Sequence, residues 1–426
     1  MLINNQLFPK APVIKGISAC LIVKNEQQRL PECLESLTLL VDEIVVVDTG
    51  STDRTVEIAK KYQARVFEFA WCDDFSQARN YAIAQATGTW ILIIDADEVL
   101  EAEALATLQN VVQRDNCLAV NLLRSEIGAT QSPYSLVLRL FRNHPEVHFE
   151  GIYHESIDQS VQSLQQREPQ WQIVNVEIPT LRHYGYTTGE IARKNKFEFA
   201  SRLMQKHLDS FPDDIYMLNK LGALYISADR NEQLSMGMQL LHRGLKLSEL
   251  NDHENHYLVR YELHYHLGLA YEFSNDWELS KGNYEQAIAL DIPELIKIGA
   301  YLNLGNLYHD ERIGNQAEQS QQAIAYYQKV IEIMPSIAQA HCNLGLAYKK
   351  VGYFDKAIKA YTDAISFAPD YAEAHQNLGS IFLKIGRFNF AVSHLQKAII
   401  LYEQQQNQQM AQYLRSNLRD LGIACQ

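Results

Sequence analysis

Along the first 190 residues, short apolar runs alternate with amphipathic stretches. ISACLIV (17–23), EIVVVD (43–48), ARVFEF (64–69) and WILIID (90–95) are rich in β-branched and large apolar residues, as buried strands are. Between them, LPECLESLTLL and DRTVEIAKKY space their apolar residues at helical intervals. This alternation predicts parallel strands joined by crossover helices, with ligands at the carboxyl ends of the strands, where Asp48 and Asp95 stand. Past residue 190 the strand signal fades and almost every segment reads as amphipathic helix. The expected organisation is an α/β domain over 1–187, a linking helix over 188–212 and an all-α array over 213–426.

The helical half repeats itself. NLG occurs at Asn303–Gly305, Asn343–Gly345 and Asn377–Gly379, with HLG at His266–Gly268 and KLG at Lys220–Gly222. The last two NLG copies lie 34 residues apart, the tetratricopeptide period. In the clearest unit Leu344, Gly345, Tyr348, Ala357, Tyr361, Ala364 and Pro369 occupy the consensus positions. Small residues there let two antiparallel helices approach, large ones fill the gap, and the proline ends the second helix. An insertion, HDERIGNQAEQSQQ before Ala323, is expected to lengthen an inter-helix loop. Stacked repeats form a groove that binds a peptide or protein partner, or else act as a spacer or dimerisation platform.

Composition narrows the function. The 426 residues are 47% hydrophobic and 21% charged, which describes an ordinary globular chain. A net charge of −13 argues against nucleic acid as a partner. The six cysteines, Cys20, Cys33, Cys72, Cys117, Cys342 and Cys425, include no C-x-x-C pair, so reduced buried thiols are expected rather than a zinc site or disulfide framework. The N-terminal stretch MLINNQLFPKAPVIKG has no secretory pattern, and no apolar run approaches the roughly 20 residues of a membrane helix. A cytoplasmic location is expected, with peripheral membrane contact left open.

Asp95 and Asp97, one residue apart after an apolar strand, would point to the same side and repel unless a positive charge lies between them. A divalent cation meets that need, and the diphosphate of a sugar nucleotide can complete its shell. VVVDTGST also matches the aspartic-protease signature, but only one D-T-G is present and a helical stretch follows it, whereas such proteases need two aspartates sharing a proton.

Together, CLIVKNEQQRLPECLESL, VVVDTGSTDRTVEIAKKY, DDFSQARNYAIAQATGTW and IIDADEVL resemble, in order and spacing, the nucleotide-sugar-binding half of inverting family-two glycosyltransferases. The resemblance covers roughly residues 16–185. It is closest to the branch of lipopolysaccharide-core glucosyltransferases and bacteriocin S-glycosyltransferases, and it implies a Rossmann-like GT-A fold.

By that resemblance Asp97 is a direct metal ligand, and Asp95 contacts the ribose or reaches the metal through water. Asp48 binds the base or ribose, although relatives have a second acidic residue where this chain has Thr49. The Asn25 and Glu26 loop holds the base, and Arg79 contacts the nucleotide. Read locally, Asp48 could instead cap a turn, Arg79 could pair with Asp73 or Asp74, and Glu98 could start a helix. The resemblance makes Glu155, in FEGIYHESI, the catalytic base, with His154 binding acceptor or fixing the loop and Glu150 the rival base. It makes His183 a late metal ligand.

The expected activity is metal-dependent (manganese or magnesium), inverting transfer of a hexose from a nucleoside diphosphate sugar, uridine diphosphate above all. The acceptor is a peptide or protein, a lipid-linked glycan or a saccharide, and the repeat groove takes acceptor or a protein partner. The alternative is a non-enzymatic scaffold with a decayed transferase domain.

Overall fold

The computed structural model describes residues 14–128, 133–185, 194–228, 231–250, 257–310 and 316–420. The N-terminal stretch 1–13, residues 188–193 of the expected linker, part of the insertion before Ala323, and Cys425 lie outside them.

The four expected strands form as β1 (Ile14–Val23), β2 (Glu43–Asp48), β3 (Arg65–Glu68) and β4 (Gly88–Ile93), parallel and in the order β3-β2-β1-β4. Helices α1 (Leu30–Leu37), α2 (Thr55–Lys61) and α3 (Phe75–Gln85) alternate with them. Val45, Val46 and Val47 are fully buried, which is why β2 reads as a continuous apolar run and not as an alternation. Leu30, Cys33, Leu34 and Leu37, at helical spacing, bury one stripe of α1 against Leu21, Val46 and Leu92 of the sheet.

The rest of the sheet departs from the parallel expectation. It gains β5 (Glu98–Leu100), β6 (Cys117–Glu126), β7 (Tyr134–Arg142) and β8 (Gln172–His183), for an eight-stranded order β3-β2-β1-β4-β7-β6-β8-β5. β7 runs antiparallel to both β4 and β6, and β5 antiparallel to β8. The connection from β6 to β7 is too short for a crossover, so the two strands must reverse direction. Glu98 opens β5 rather than a helix, and it stands opposite His183 in the β5–β8 pair. Helices α4 (Leu105–Val111) and α5 (Asp158–Arg167) complete this region.

The chain divides into two compact units, Met1–Val259 and Arg260–Gln426. The first contains the sheet together with α6 (Lys194–Ser210), α7 (Ile215–Ile226) and α8 (Asn231–Leu250). Ala200, Met204 and Leu208 of α6 pack with Met217, Leu218 and Leu221 of α7, and Tyr153 lies against that cluster.

The second unit is helical. It takes in most of α9 (Tyr257–Phe273), then α10 (Trp277–Ala289), α11 (Ile298–His309), α12 (Gln316–Ile333), α13 (Ala338–Lys350), α14 (Phe354–Phe367), α15 (Ala372–Lys384), α16 (Phe388–Gln404) and α17 (Gln408–Asp420). A Cβ on Gly345 would sit 2.6 Å from the Tyr361 ring, and one on Gly268 or Gly305 would sit 2.5 Å from Tyr284 or Tyr327. These three helix pairs thus close by seating a ring of the second helix on the bare backbone of the first, whereas Gly222 and Gly379 face Leu241 and Leu395 instead. The insertion before Ala323 is not all loop, because α12 begins at Gln316.

Of the cysteines, Cys20, Cys33, Cys117 and Cys342 are buried and free as expected, but Cys72 is exposed. It lies in the connection between β3 and α3. Among the described residues, no helix is long and apolar enough to cross a membrane.

Candidate functional site

Two loops at the carboxyl ends of β1 and β2 are stitched together. Asn25 adopts a left-handed φ of 59°, its Oδ1 accepts from Thr52 N at 2.7 Å, and its own N–H donates to Ser51 Oγ at 2.9 Å. Glu26 N–H donates to Thr55 Oγ1 at 2.7 Å. Asp48, buried at the end of β2, accepts from Gly50 N at 3.2 Å and Ser51 N at 3.0 Å. Its carboxylate therefore shapes the turn, and the turn in turn anchors the Asn25 loop. Thr49 is also buried, with Oγ1 donating to Val23 O at 3.1 Å.

Arg79 of α3 joins segments far apart in sequence. Its Nη2 donates to Asp95 Oδ1 at 2.7 Å and its Nε to Glu155 Oε1 at 2.5 Å. Arg139 of β7 donates to the other oxygen of Asp95 at 3.1 Å. Arg79 does not pair with Asp73 or Asp74. Asp74 caps α3 by accepting from Gln77 N at 3.2 Å, and Asp73 accepts from Trp71 Nε1 and Arg202. Burial alone would raise the Asp95 carboxyl, yet the Arg79 and Arg139 charges hold it far below the usual carboxylate range. Burial likewise opposes the Arg79 charge, which Asp95 and Glu155 sustain. The Arg79 guanidinium lies 5.6 Å from the Phe149 ring centre. Nη1 of Arg79 and Nη1 of Arg139 are buried without a hydrogen-bond partner.

Asp97 faces a different set. Its Oδ2 lies 3.5 Å from His183 Nε2 and 3.8 Å from Arg29 Nη1. A pocket of about 170 Å³ opens beside it, lined by Gln28, Arg29, Glu32, Asp97, Val99 and Tyr184 among others. His183 Nδ1 meets Glu126 Oε2 at 2.6 Å. Arg124 then joins Glu126, at 2.8 Å, to Glu98, at 2.9 Å, and Glu98 Oε2 accepts the backbone N–H of Asp95 at 2.9 Å. Burial pulls the His183 imidazole down, but its bonds to Asp97 and Glu126 hold it up at about 9. Glu126 is driven the other way, to about 2, by His183 and Arg124 against its burial.

The expected metal set of Asp95, Asp97 and His183 is therefore divided between two neighbourhoods. Asp97 and His183 come together, whereas both oxygens of Asp95 are taken by arginines. Among the described residues, no group of three or more His, Cys, Asp or Glu side chains is arranged to hold a metal ion. The oxygen and nitrogen of the Asp97–His183 pair, 3.5 Å apart, suit two neighbouring ligands of one divalent cation, given ligand bonds of about 2.0–2.2 Å. The positive partner sought between the two carboxylates is, for Asp95, a pair of guanidinium groups.

Glu155 sits in a tight loop closed by reciprocal hydrogen bonds between Glu150 and Ser156, at 2.9 and 3.0 Å. Its side chain is only 9% exposed. Glu150, the rival, is 42% exposed and lies 3.0 Å from His148, on the rim rather than beside Arg79. His154 is exposed, adopts a φ of 55° and packs edge-on against Tyr153, with ring centres 4.9 Å apart. Sequence reasoning missed Arg124, Glu126 and Arg139. Their only signal is a charge interrupting an apolar strand, in LAVNLLRSE and SLVLRLFR.

Comparison with known proteins finds two kinds of family model along the chain. Residues 18–174 match the family model described as Glycosyl transferase family 2, and 315–352, 338–371 and 374–409 match tetratricopeptide-repeat models. A tetratricopeptide-repeat-containing protein of Synechococcus elongatus is 39% identical over 72% of this chain and 75% of its own. The SPbeta prophage-derived glycosyltransferase SunS of Bacillus subtilis is 31% identical over 51% of each chain, so this chain spans about half of that relative. Among solved structures, MamA is 26% identical over 42% of this chain and 87% of its own, with a TM-score of 0.33.

Proposed function

The chain carries a family 2 glycosyltransferase domain followed by tetratricopeptide repeats, and from that premise we propose that it transfers a hexose, with inversion and with a divalent cation, from a uridine diphosphate sugar to a peptide or glycan acceptor. The observation that carries this reading is the Arg79 bridge, which brings Asp95, after β4, beside Glu155, sixty residues later in the chain.

In this reading the stitched loops of Asn25, Glu26 and Asp48 form the rim that receives the base and ribose. Arg79 and Arg139 fix Asp95 in its charged form beside the donor. Asp97 and His183 would hold manganese or magnesium, which supplies positive charge against the leaving diphosphate. Glu155 takes the proton of the acceptor hydroxyl or thiol. The acceptor atom forms its bond to the anomeric carbon as the bond to the diphosphate oxygen breaks, and the electron pair leaves with the diphosphate. Arg79 orients Glu155, so donor-side and acceptor-side carboxylates share one rigid cation.

The test is nucleotide release from a panel of nucleoside diphosphate sugars. One uridine diphosphate sugar should be turned over only with manganese or magnesium. Glu155→Gln should bind that donor normally while turnover falls by about 10²-fold to 10⁴-fold. Undiminished turnover in that variant would transfer the base role elsewhere, and no turnover of any donor by the native chain would overturn the assignment.

A further inference from the structure

Glu98, Arg124 and Glu126, which complete a ring of charges behind Asp97 and His183, have no place in the proposed transfer. The ring runs from the backbone N–H of Asp95 to Glu98, through Arg124 to Glu126, and from Glu126 to His183 and Asp97. It spans β5, β6 and β8, and its carboxylates behind His183 are buried: side-chain exposure is 0% for Glu98 and 5% for Glu126, against 18% for Arg124. Ser135 Oγ adds a further bond to Glu126. Burying such charges is seldom a net gain in stability over apolar packing, so the ring calls for another explanation. Its geometry supplies one. Glu126 meets Nδ1 of His183, which leaves the opposite nitrogen, Nε2, as the atom facing Asp97. From the other side the chain closes on the ring without a side chain, since a Cβ on Gly185 would lie 2.5 Å from both Cε1 and Nε2 of His183.

We propose that Glu126, tethered by Arg124, is a positioning residue that holds His183 in the orientation presenting Nε2 to a divalent cation shared with Asp97; this rests on the metal-dependent reading above. A carboxylate on the far nitrogen of a ligating histidine fixes which nitrogen carries the proton and where the other points. Arg124 prevents Glu126 from turning away, and Glu98 carries the same restraint to the backbone at Asp95. The carboxylate thereby fixes one edge of the imidazole, and the lack of a side chain at Gly185 keeps the Cε1–Nε2 edge clear.

The test measures free manganese by electron paramagnetic resonance in the presence of uridine diphosphate, alongside the imidazole nitrogen and proton resonances of His183. The native chain is compared with Glu126→Gln, Gly185→Ala and His183→Gln. Glu126→Gln keeps size and one acceptor oxygen but loses the charge, and it should weaken manganese binding by about 10-fold to 100-fold. Its His183 Nδ1 proton should shift upfield. Gly185→Ala removes no charge but presses on the ring, and it should weaken manganese binding too. If Glu126→Gln only lowers the melting temperature, with manganese affinity and imidazole resonances as in the native chain, the positioning role is overturned while metal binding through His183 stands. If the native chain binds no manganese, the metal reading itself fails, and unchanged resonances in Glu126→Gln would then dispose of the Glu126–His183 bond as well.

Discussion

At the scale of single residues, His183 sets how stability should vary with pH. Its imidazole is held at about 9 in the folded chain, against an ordinary value near 6.5. The raised value means the protonated ring is favoured by folding. That contribution is complete below about pH 6.5 and disappears as pH rises through about 9. In chelator, the native chain should therefore lose on the order of 2–3 kcal/mol across this window, and His183→Gln should flatten that part of the profile. Melting curves at pH 6 and pH 9.5 check both arms. At this scale the sequence was unevenly legible. Asp95, Asp97, Arg79 and Glu155 could be picked out because they sit in short ordered motifs. Arg139 and Glu126 could not, because they meet Asp95 and His183 only through strand pairing, which a linear reading does not provide. For the same reason Arg79 could be assigned Asp73 or Asp74 as alternative partners, close in sequence, when its actual partners come from after β4 and from the Glu155 loop.

At the scale of elements, the apolar runs located β1 to β4 to within a few residues: β1, β2 and β4 are largely buried on both faces and leave a continuous signal, whereas the edge strand β3 exposes Arg65 and Glu68. The antiparallel half escaped because β6, β7 and β8 mix charged and apolar positions, and because pairing direction follows from connection length rather than composition. Glu98 shows the same limit: an acid after a strand looks like a helix start until β8 arrives to pair with it. In the repeats the small-residue positions were legible and carry a quantitative consequence. Gly345→Ala would put a methyl group 2.6 Å from the Tyr361 ring within a closed helix pair. Overpacking of this kind costs about 1–3 kcal/mol, outweighing the gain of under about 1 kcal/mol expected from alanine in a helix. Gly282→Ala, where a Cβ would meet nothing within 4 Å, is the control and should not destabilise. Urea unfolding of the two variants separates packing from propensity.

For the whole molecule, the division at Val259 changes where the chain should be cut. A boundary near residue 212, drawn from the end of the linking helix, would separate α6 from α7, whose Met204 and Met217 share one buried cluster. A chain ending at Leu250 keeps that cluster and every residue of the proposed donor site. It should bind and slowly hydrolyse the donor, while transfer to the natural acceptor falls at least about 10-fold if the repeats position that acceptor, since remote binding energy is what orients a reacting group. Equal transfer by the shortened chain would give the repeats an assembly role instead. In the proposed reaction a divalent cation at Asp97 draws a nucleoside diphosphate into this site. The most direct measurement is calorimetric titration of uridine diphosphate, with and without manganese, into the native chain and into folded Asp97→Asn. Manganese-dependent binding in the native chain and its loss in Asp97→Asn is the result predicted. Equal binding by the two chains, or native binding indifferent to manganese, would contradict the account.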